Sequence, residues 1–292
     1  MTSGESRDFP VYTFIDRTPG FLFQELREEA FTHPFFNDGV SHFSDFGDRK
    51  VNVDKLELPK LVDPLQINGF IFHTSHCGST LLSRMLSALP GVRVVSETEA
   101  INSLLLSYLY YEIDRSEVLT QLKCLIELYR QKMGDKKNLI FKTTSWNVFL
   151  IDLFQELYPE VPWMYIDRET EACVDSSLKD GGGFVQWRQL SDGIPIKYFL
   201  QNWESFSTQR AYVAAMIDEQ RQVAQKAKRG NFLFLEYPDF LEQYSSQILP
   251  HFGLKCSGEA VQASIEQTKY QSKSLEPVPF QKDINRRVIH PI

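Results

Sequence analysis

Apolar residues in this chain gather in short runs, and each run gives way to a stretch with helical spacing. The clearest case is Gly69 to Leu89, GFIFHTSHCGSTLLSRMLSAL. Phe70-Ile71-Phe72 reads as a buried strand and His73 to Ser79 as a polar turn. A helix follows in which Leu81, Leu82, Met85, Leu86 and Leu89 share one face. Val92–Val95, Asn138–Phe141, Trp163–Ile166 and Phe232–Leu235 read as further strands. Helical spacing recurs over Ala100–Tyr111, Glu117–Met133, Trp146–Leu157, from Thr170, over Ser205–Lys228, Phe240–Phe252 and Glu259–Tyr270. Strands alternating with helices predict an α/β fold of right-handed βαβ units around a mainly parallel sheet. Residues 1–66 read as an irregular, aromatic-rich lead-in, part of the same domain as 67–292. It is expected to hold a short helix at Phe21–Arg27 and an extended stretch at Leu56–Leu65. Lys179–Lys197 is rich in glycine and turn residues and is the predicted mobile loop or lid.

The polar residues just past each strand matter most, because open α/β sheets bind ligands at the C-terminal ends of their strands. These ends carry Ser96-Glu97-Thr98-Glu99, Lys142-Thr143-Thr144, Asp167-Arg168 and Tyr237. At the first strand, a turn of small residues feeds a helix whose first backbone N–H groups lack partners. With the helix dipole they form an anion site. Gly78 lets a phosphate approach the backbone, and Ser79 and Thr80 add hydroxyl donors. The ending Cys77-Gly78-Ser79-Thr80 lacks the Gly-Lys-Ser/Thr of nucleoside triphosphatases, which counts against that class. Cys77 at a helix start suggests a nucleophilic thiol. Cysteine phosphatases, however, need an arginine closing the loop, where this chain has Ser79-Thr80.

Plainer readings stand beside these. The loop also fits an ordinary strand–turn–helix capped by Ser75 or Ser79. Glu97 and Glu99 fit carboxylates near a helix N-terminus. Arg168, flanked by Asp167, Glu169 and Glu171, fits a structural salt-bridge cluster.

Composition narrows the partners. At 292 residues the chain is sized for one large domain. Its net charge is −7 and it has no run of Lys and Arg, so nucleic acid and other polyanions are disfavoured. No segment reaches transmembrane length, and the start, MTSGESRDFPVYTF, has no basic region leading into an apolar run. The four cysteines, Cys77, Cys124, Cys173 and Cys256, lack metal-ligand spacing. A cytoplasmic protein with free thiols, no metal and no membrane partner is expected.

Taken jointly, the strand-end residues resemble the sulfotransferases that use 3′-phosphoadenosine 5′-phosphosulfate (PAPS). Their first signature, Pro-Lys/Arg-Ser-Gly-Thr-Thr, is similar to Ser75-His76-Cys77-Gly78-Ser79-Thr80. Their second, a strand-end Arg with a Ser eight residues on, is similar to Arg168 and Ser176. Within the family the likeness is to the tyrosylprotein sulfotransferases and related bacterial enzymes, through Ser79–Met85, Val92-Arg93 and Glu97-Thr98. It spans roughly residues 69–98, 138–178 and 231–275.

The resemblance implies a P-loop three-layer sandwich, PAPS as cosubstrate and no metal. It further implies Glu97 as catalytic base, Lys142 near the transferring group, and Arg168 and Ser176 on the 3′-phosphate. Tyr237 matches a late strand end, and Lys273, in Tyr270–Lys273, a late basic loop over the cofactor. His76 stands where the family has Lys or Arg; charged by a bound phosphosulfate, it would serve as donor or acid. The acceptor would be a hydroxyl, phenol or amine of a small molecule or peptide. Alternatives are a P-loop kinase of a small acceptor, or a protein that binds the nucleotide without turnover.

Overall fold

Strands covered by helices on both faces read as continuous apolar runs, and those of this chain do. The computed structural model describes residues 5–43, 51–53, 56–189, 195–274 and 278–280. In chain order the elements are β1 (Ser6–Thr13), β2 (Phe21–Arg27), α1 (Phe36–Phe43), β3 (Val51–Val53), β4 (Gln66–His73), α2 (Ser79–Ser87), β5 (Val92–Ser96), α3 (Glu99–Tyr111) and α4 (Arg115–Leu128). They continue with β6 (Asn138–Lys142), α5 (Ile151–Leu157), β7 (Trp163–Asp167), α6 (Thr170–Asp180), α7 (Phe184–Trp187), α8 (Ile196–Phe199), α9 (Gln209–Lys226), β8 (Phe232–Glu236), α10 (Leu249–His251) and α11 (Gly258–Ile265).

Five strands form one parallel sheet in the order β5-β6-β4-β7-β8. Side chains alternate between two apolar layers. Phe70, Phe72, Leu139, Phe141 and Tyr165 pack with α3, α4, α5 and α9 on one face. Ile71, Ile140, Met164 and Ile166 pack with α2, α10 and Phe252 on the other. This is an α/β three-layer arrangement with a wholly parallel central sheet. From β4 the chain runs to one side for β5 and β6, then to the other for β7 and β8. A topological switch point therefore lies at the C-terminal end of β4, where a ligand crevice is expected.

The N-terminal quarter differs from its reading as an irregular lead-in with a helix at Phe21–Arg27. That segment is strand β2, paired antiparallel with β1 and with β3 in a sheet of order β1-β2-β3. FLFQELR has adequate helix propensity, but so short an isolated helix is marginal in water, and pairing with β1 satisfies its backbone instead. Two expected long helices are interrupted. Trp146–Leu157 opens as a 3-10 turn, Ser145–Leu150, before α5. Phe240–Phe252 is a 3-10 turn, a π turn at Tyr244–Ile248 and the short α10. Of the predicted lid, residues 190–194 lie outside the described residues; the rest carries α7 and the start of α8, with Phe184, Val185 and Ile196 buried.

One buried cation joins the two sheets. Arg93 on β5 is 1% exposed and points into the layer shared with the N-terminal strands. Its Nε lies 3.0 Å from Glu28 Oε1, and Nη1 donates to the carbonyls of Tyr129 and Gln131 at 2.9 and 2.7 Å. The guanidinium also lies 4.5 Å from the Phe31 ring centre. Removing Arg93 leaves the Tyr129 and Gln131 carbonyls and the part-buried Glu28 carboxylate without their donor, so Arg93→Met should lower unfolding free energy by about 3 kcal/mol. Urea denaturation followed by circular dichroism checks this; a loss below about 1 kcal/mol, the level of an exposed pair, would contradict the role given to Arg93.

Candidate functional site

The chain leaves β4 at its buried end, His73, and Thr74 fixes the exit. The Thr74 N–H donates to the Ile166 carbonyl at 2.9 Å, and its hydroxyl meets Asp167 Oδ1 at 2.8 Å and the Tyr165 hydroxyl at 2.7 Å. The loop then passes through two left-handed residues, His76 with φ of 60° and Gly78 with φ of 88°. A Cβ on Gly78 would stand 2.7 Å from Cδ2 of Tyr237, so glycine is required by conformation and by space alike. Gly78 is the N-cap of α2 and no side chain caps the helix, so the capping role considered for Ser75 and Ser79 is not observed. The Ser75 hydroxyl instead meets that of Ser145 at 2.6 Å, tying the loop to the segment after β6. Among the described residues, none accepts a hydrogen bond from the backbone N–H of His76, Cys77, Gly78 or Thr80. Unpaired donors at a helix start form a concavity suited to an anion.

Cys77 does not face this concavity. Its side chain is fully buried, and burial first, then the neighbouring Cys173, pushes its thiol up to about 12. Its burial joins the missing loop arginine in counting against a nucleophilic thiol: Cys77 offers the site its backbone N–H alone.

The ends of β5 and β6 bring Glu97 and Lys142 together. Glu97 is left-handed, with φ of 53°, and its N–H donates to the Lys142 carbonyl at 2.8 Å. Lys142, 1% exposed, donates from Nζ to Glu97 Oε1 and lies 3.4 Å from Thr80 Oγ1. Burial works against the Glu97 carboxylate, but the charge of Lys142 and its direct hydrogen bond outweigh it. Glu97 is thus held below the ordinary carboxylate value. The helix-terminus reading suits Glu99, the first residue of α3, but not Glu97, which precedes the helix and its N-cap, Thr98. Lys142 does not line the large cavity; it stands behind Glu97, which does.

The salt-bridge cluster considered for Arg168 exists, but Arg168 is not in it. Arg221 on α9 pairs with Asp167, its Nη2 lying 3.1 Å from Oδ1. Glu169 caps α6 by accepting from the N–H groups of Glu171 and Ala172 at 2.8 and 2.7 Å. Glu171 pairs with Arg210. Arg168 is left with the His76 carbonyl, at 3.0 Å from its Nη1, and with the Tyr237 ring centre 5.0 Å from its guanidinium carbon. No carboxylate pairs with it among the described residues.

Next to Arg168, the Ser176 hydroxyl lies 3.1 Å from His76 Nδ1. Lys273 comes from the late loop, which Arg84 of α2 holds by donating to the carbonyls of Gln271 and Ser274 at 3.0 and 2.6 Å. Burial, then the charge of Lys273, lowers the pKa of His76 against the opposing pull of Asp180, so its imidazole is neutral at pH 7.

A cavity of about 510 Å³ opens over these groups. Ser75, His76, Gly78, Ser79 and Thr80 form its floor; Glu97, Arg168, Ser176, Tyr237 and Lys273 stand around it. Other residues lining it include His73, from the polar turn, and Phe184, from the predicted lid, both in segments that the sequence marked. Phe35 and Trp146 line it too, and the sequence reading did not single them out for the site.

His73 is the most constrained of these. Its Nδ1 and Nε2 face the carbonyls of Thr74 and Thr143 at 3.0 and 2.9 Å, and Nε2 lies 3.8 Å from Glu97 Oε1. A neutral ring satisfies only one carbonyl. Even so, burial and then Lys142 lower its pKa to about 4. Between its unfolded pKa near 6.5 and about 4, the unfolded chain binds a proton that the folded chain does not, so stability falls as pH falls. The loss should reach about 3 kcal/mol at the acid end. Urea unfolding at pH 7 and pH 4.5 should show this slope flattened in His73→Gln. Equal slopes in both proteins would mean that folded His73 is already protonated.

No helix among the described residues is long and apolar enough to cross a membrane. No protein-family model matches the chain. No curated protein matches it in sequence. Among solved structures, the chain is similar to a sulfotransferase from Alicyclobacillus acidocaldarius, over 70% of this chain and 95% of that one, at 12% identity and a TM-score of 0.39. A likeness of that degree carries no inference about function.

Proposed function

We propose that this chain is a PAPS-dependent sulfotransferase acting on a hydroxyl, phenol or amine of a small molecule or peptide. One observation carries the reading: Arg168, free of any carboxylate among the described residues, shares a cavity with unpaired N–H groups at a helix start and with Glu97. ATP has no 3′-phosphate to occupy a cation on that side, whereas PAPS does. The residues fit the nucleotide. Backbone N–H groups of His76, Cys77, Gly78 and Thr80 would hold the 5′-phosphate. Arg168 and Ser176 would hold the 3′-phosphate, with Tyr237 closing against Gly78. The bound cosubstrate would supply an activated sulfuryl group.

The acceptor must then be held in line, lose its proton and have the leaving charge stabilised. Glu97 would take the acceptor proton, being ionised and at the cavity wall. Because its pKa is lowered, it is already in the base form at neutral pH. Turnover should therefore fall only when acid protonates it, below the ordinary carboxylate range. Lys142 would fix that carboxylate and lend its charge to the transferring group from behind. The neutral state of His76 and the Lys142–Glu97 pairing favour, as second reading, a protein that binds the nucleotide without turnover.

Calorimetry with 3′-phosphoadenosine 5′-phosphate against adenosine 5′-phosphate tests the cofactor. Wild type should prefer the former, and Arg168→Ala should weaken that binding by about tenfold to a hundredfold, the worth of a charged hydrogen bond, while leaving the 5′-monophosphate unchanged. No preference for the 3′-phosphate in wild type would end the sulfotransferase reading. Glu97→Gln should retain nucleotide binding and lose sulfuryl transfer from PAPS to a screened phenol or amine. Absence of transfer in wild type across that screen would leave the binding reading in its place.

A further inference from the structure

An anion already sits among the cations of this pocket, and it belongs to the chain. Oδ2 of Asp180 lies 3.5 Å from His76 Nε2 and 3.5 Å from Lys273 Nζ, so one oxygen is shared between the two groups beside Arg168 and Ser176. The position is a poor one for a carboxylate on local grounds. Asp180 is the last residue of α6, where the helix dipole presents its negative end and favours cations. What holds the side chain inward is the pair of cationic or proton-bearing groups across the cavity. It is also free to leave. Its side chain is 54% exposed, and Gly181, Gly182 and Gly183 follow with nothing within 4 Å of a Cβ on any of them. Gly181 and Gly183 adopt left-handed φ values of 69° and 59°.

We infer that Asp180 is a specificity-determining residue, an internal stand-in for a phosphate that an entering phosphomonoester must displace. This rests on the assignment of the 3′-phosphate to Arg168 and Ser176. A ligand that places a phosphate there loses part of its attraction to evicting the carboxylate. A ligand without one leaves Asp180 where it is. Asp180 therefore sets how strongly the pocket discriminates between the two, and its replacement widens the difference. A structural role, in which Asp180 orients His76 and Lys273 for the ligand, predicts the opposite sign.

Calorimetry of 3′-phosphoadenosine 5′-phosphate and adenosine 5′-phosphate on wild type and Asp180→Asn forms a closed cycle. The near-isosteric change should tighten binding of the 3′-phosphorylated ligand about twofold to fivefold, the upper part of the range for a partly exposed ion pair, and leave the 5′-monophosphate within about 1.4-fold, the bottom of that range. Asp180→Ala should do the same, which separates charge from side-chain hydrogen bonding. Equal tightening of both ligands would reduce Asp180 to a general charge effect and overturn the inference, as would unchanged or weaker binding of the 3′-phosphorylated ligand. If wild type itself shows no preference for the 3′-phosphate, the failure lies with the assignment of that phosphate.

Discussion

A strand buried on both faces can show polar groups only at its tips, and β4 is such a strand. Phe70 and Phe72 are packed into one apolar layer and Ile71 into the other. Gly69 leaves no room even for a methyl group, since a Cβ there would lie 2.2 Å from the Phe252 ring. Past Asn68, whose amide donates to the Phe252 carbonyl at 2.9 Å, the next polar side chain is His73, at the point where neighbouring strands diverge to either side. β6 and β7, hydrogen-bonded to β4 in parallel register, end at this edge too, β6 with Lys142 opposite Ile71 and β7 with Asp167 one residue past the partner of His73. That places Lys142 and Asp167 beside the loop. The cavity is the space that the switch point leaves over these ends.

Allocation of charges then decides what the cavity can hold. Two cations at or behind this edge are already matched, Arg221 with Asp167 and Lys142 with Glu97. The Asp167–Arg221 pair has the widest effect. It satisfies a carboxylate that is 3% exposed, and Asp167 also receives the Thr74 hydroxyl that fixes the loop. By occupying Asp167 it leaves Arg168, the next residue, without an acid. The same pair thus shapes the anion loop and releases the cation that faces it.

This is also where the sequence was legible and where it was not. Strands β4 to β8 could be read because burial on two faces imprints an apolar run on each. The strand-end residues could be read because parallel strands deliver them to one edge. β2 could not, because FLFQELR acquires its conformation from β1 and not from its own pattern. The freedom of Arg168 could not be read either. Asp167, Glu169 and Glu171 surround it in sequence, and only folding gives them to Arg221, to the N-terminus of α6 and to Arg210. The inward turn of Cys77 belongs to the same class: a loop residue between two left-handed neighbours has its direction set by backbone geometry, which the letters do not display.

The Lys142–Glu97 pair bears on how such a site could turn over. A carboxylate held ionised by a buried ammonium is a weaker base than a free one, yet it is always ready and always aimed. If negative charge developed in the cavity near Thr80, Lys142 would be drawn toward it, since its Nζ lies 3.4 Å from Thr80 Oγ1 already. Loss of that attraction would raise the basicity of Glu97 as the proton came to need an acceptor. The His73 ring, neutral and with one nitrogen 3.8 Å from Glu97 Oε1, adds no fixed charge that would oppose the change. In such an arrangement the strength of the base would follow the charge of the bound ligand, and proton removal would be favoured only when an anion was in place.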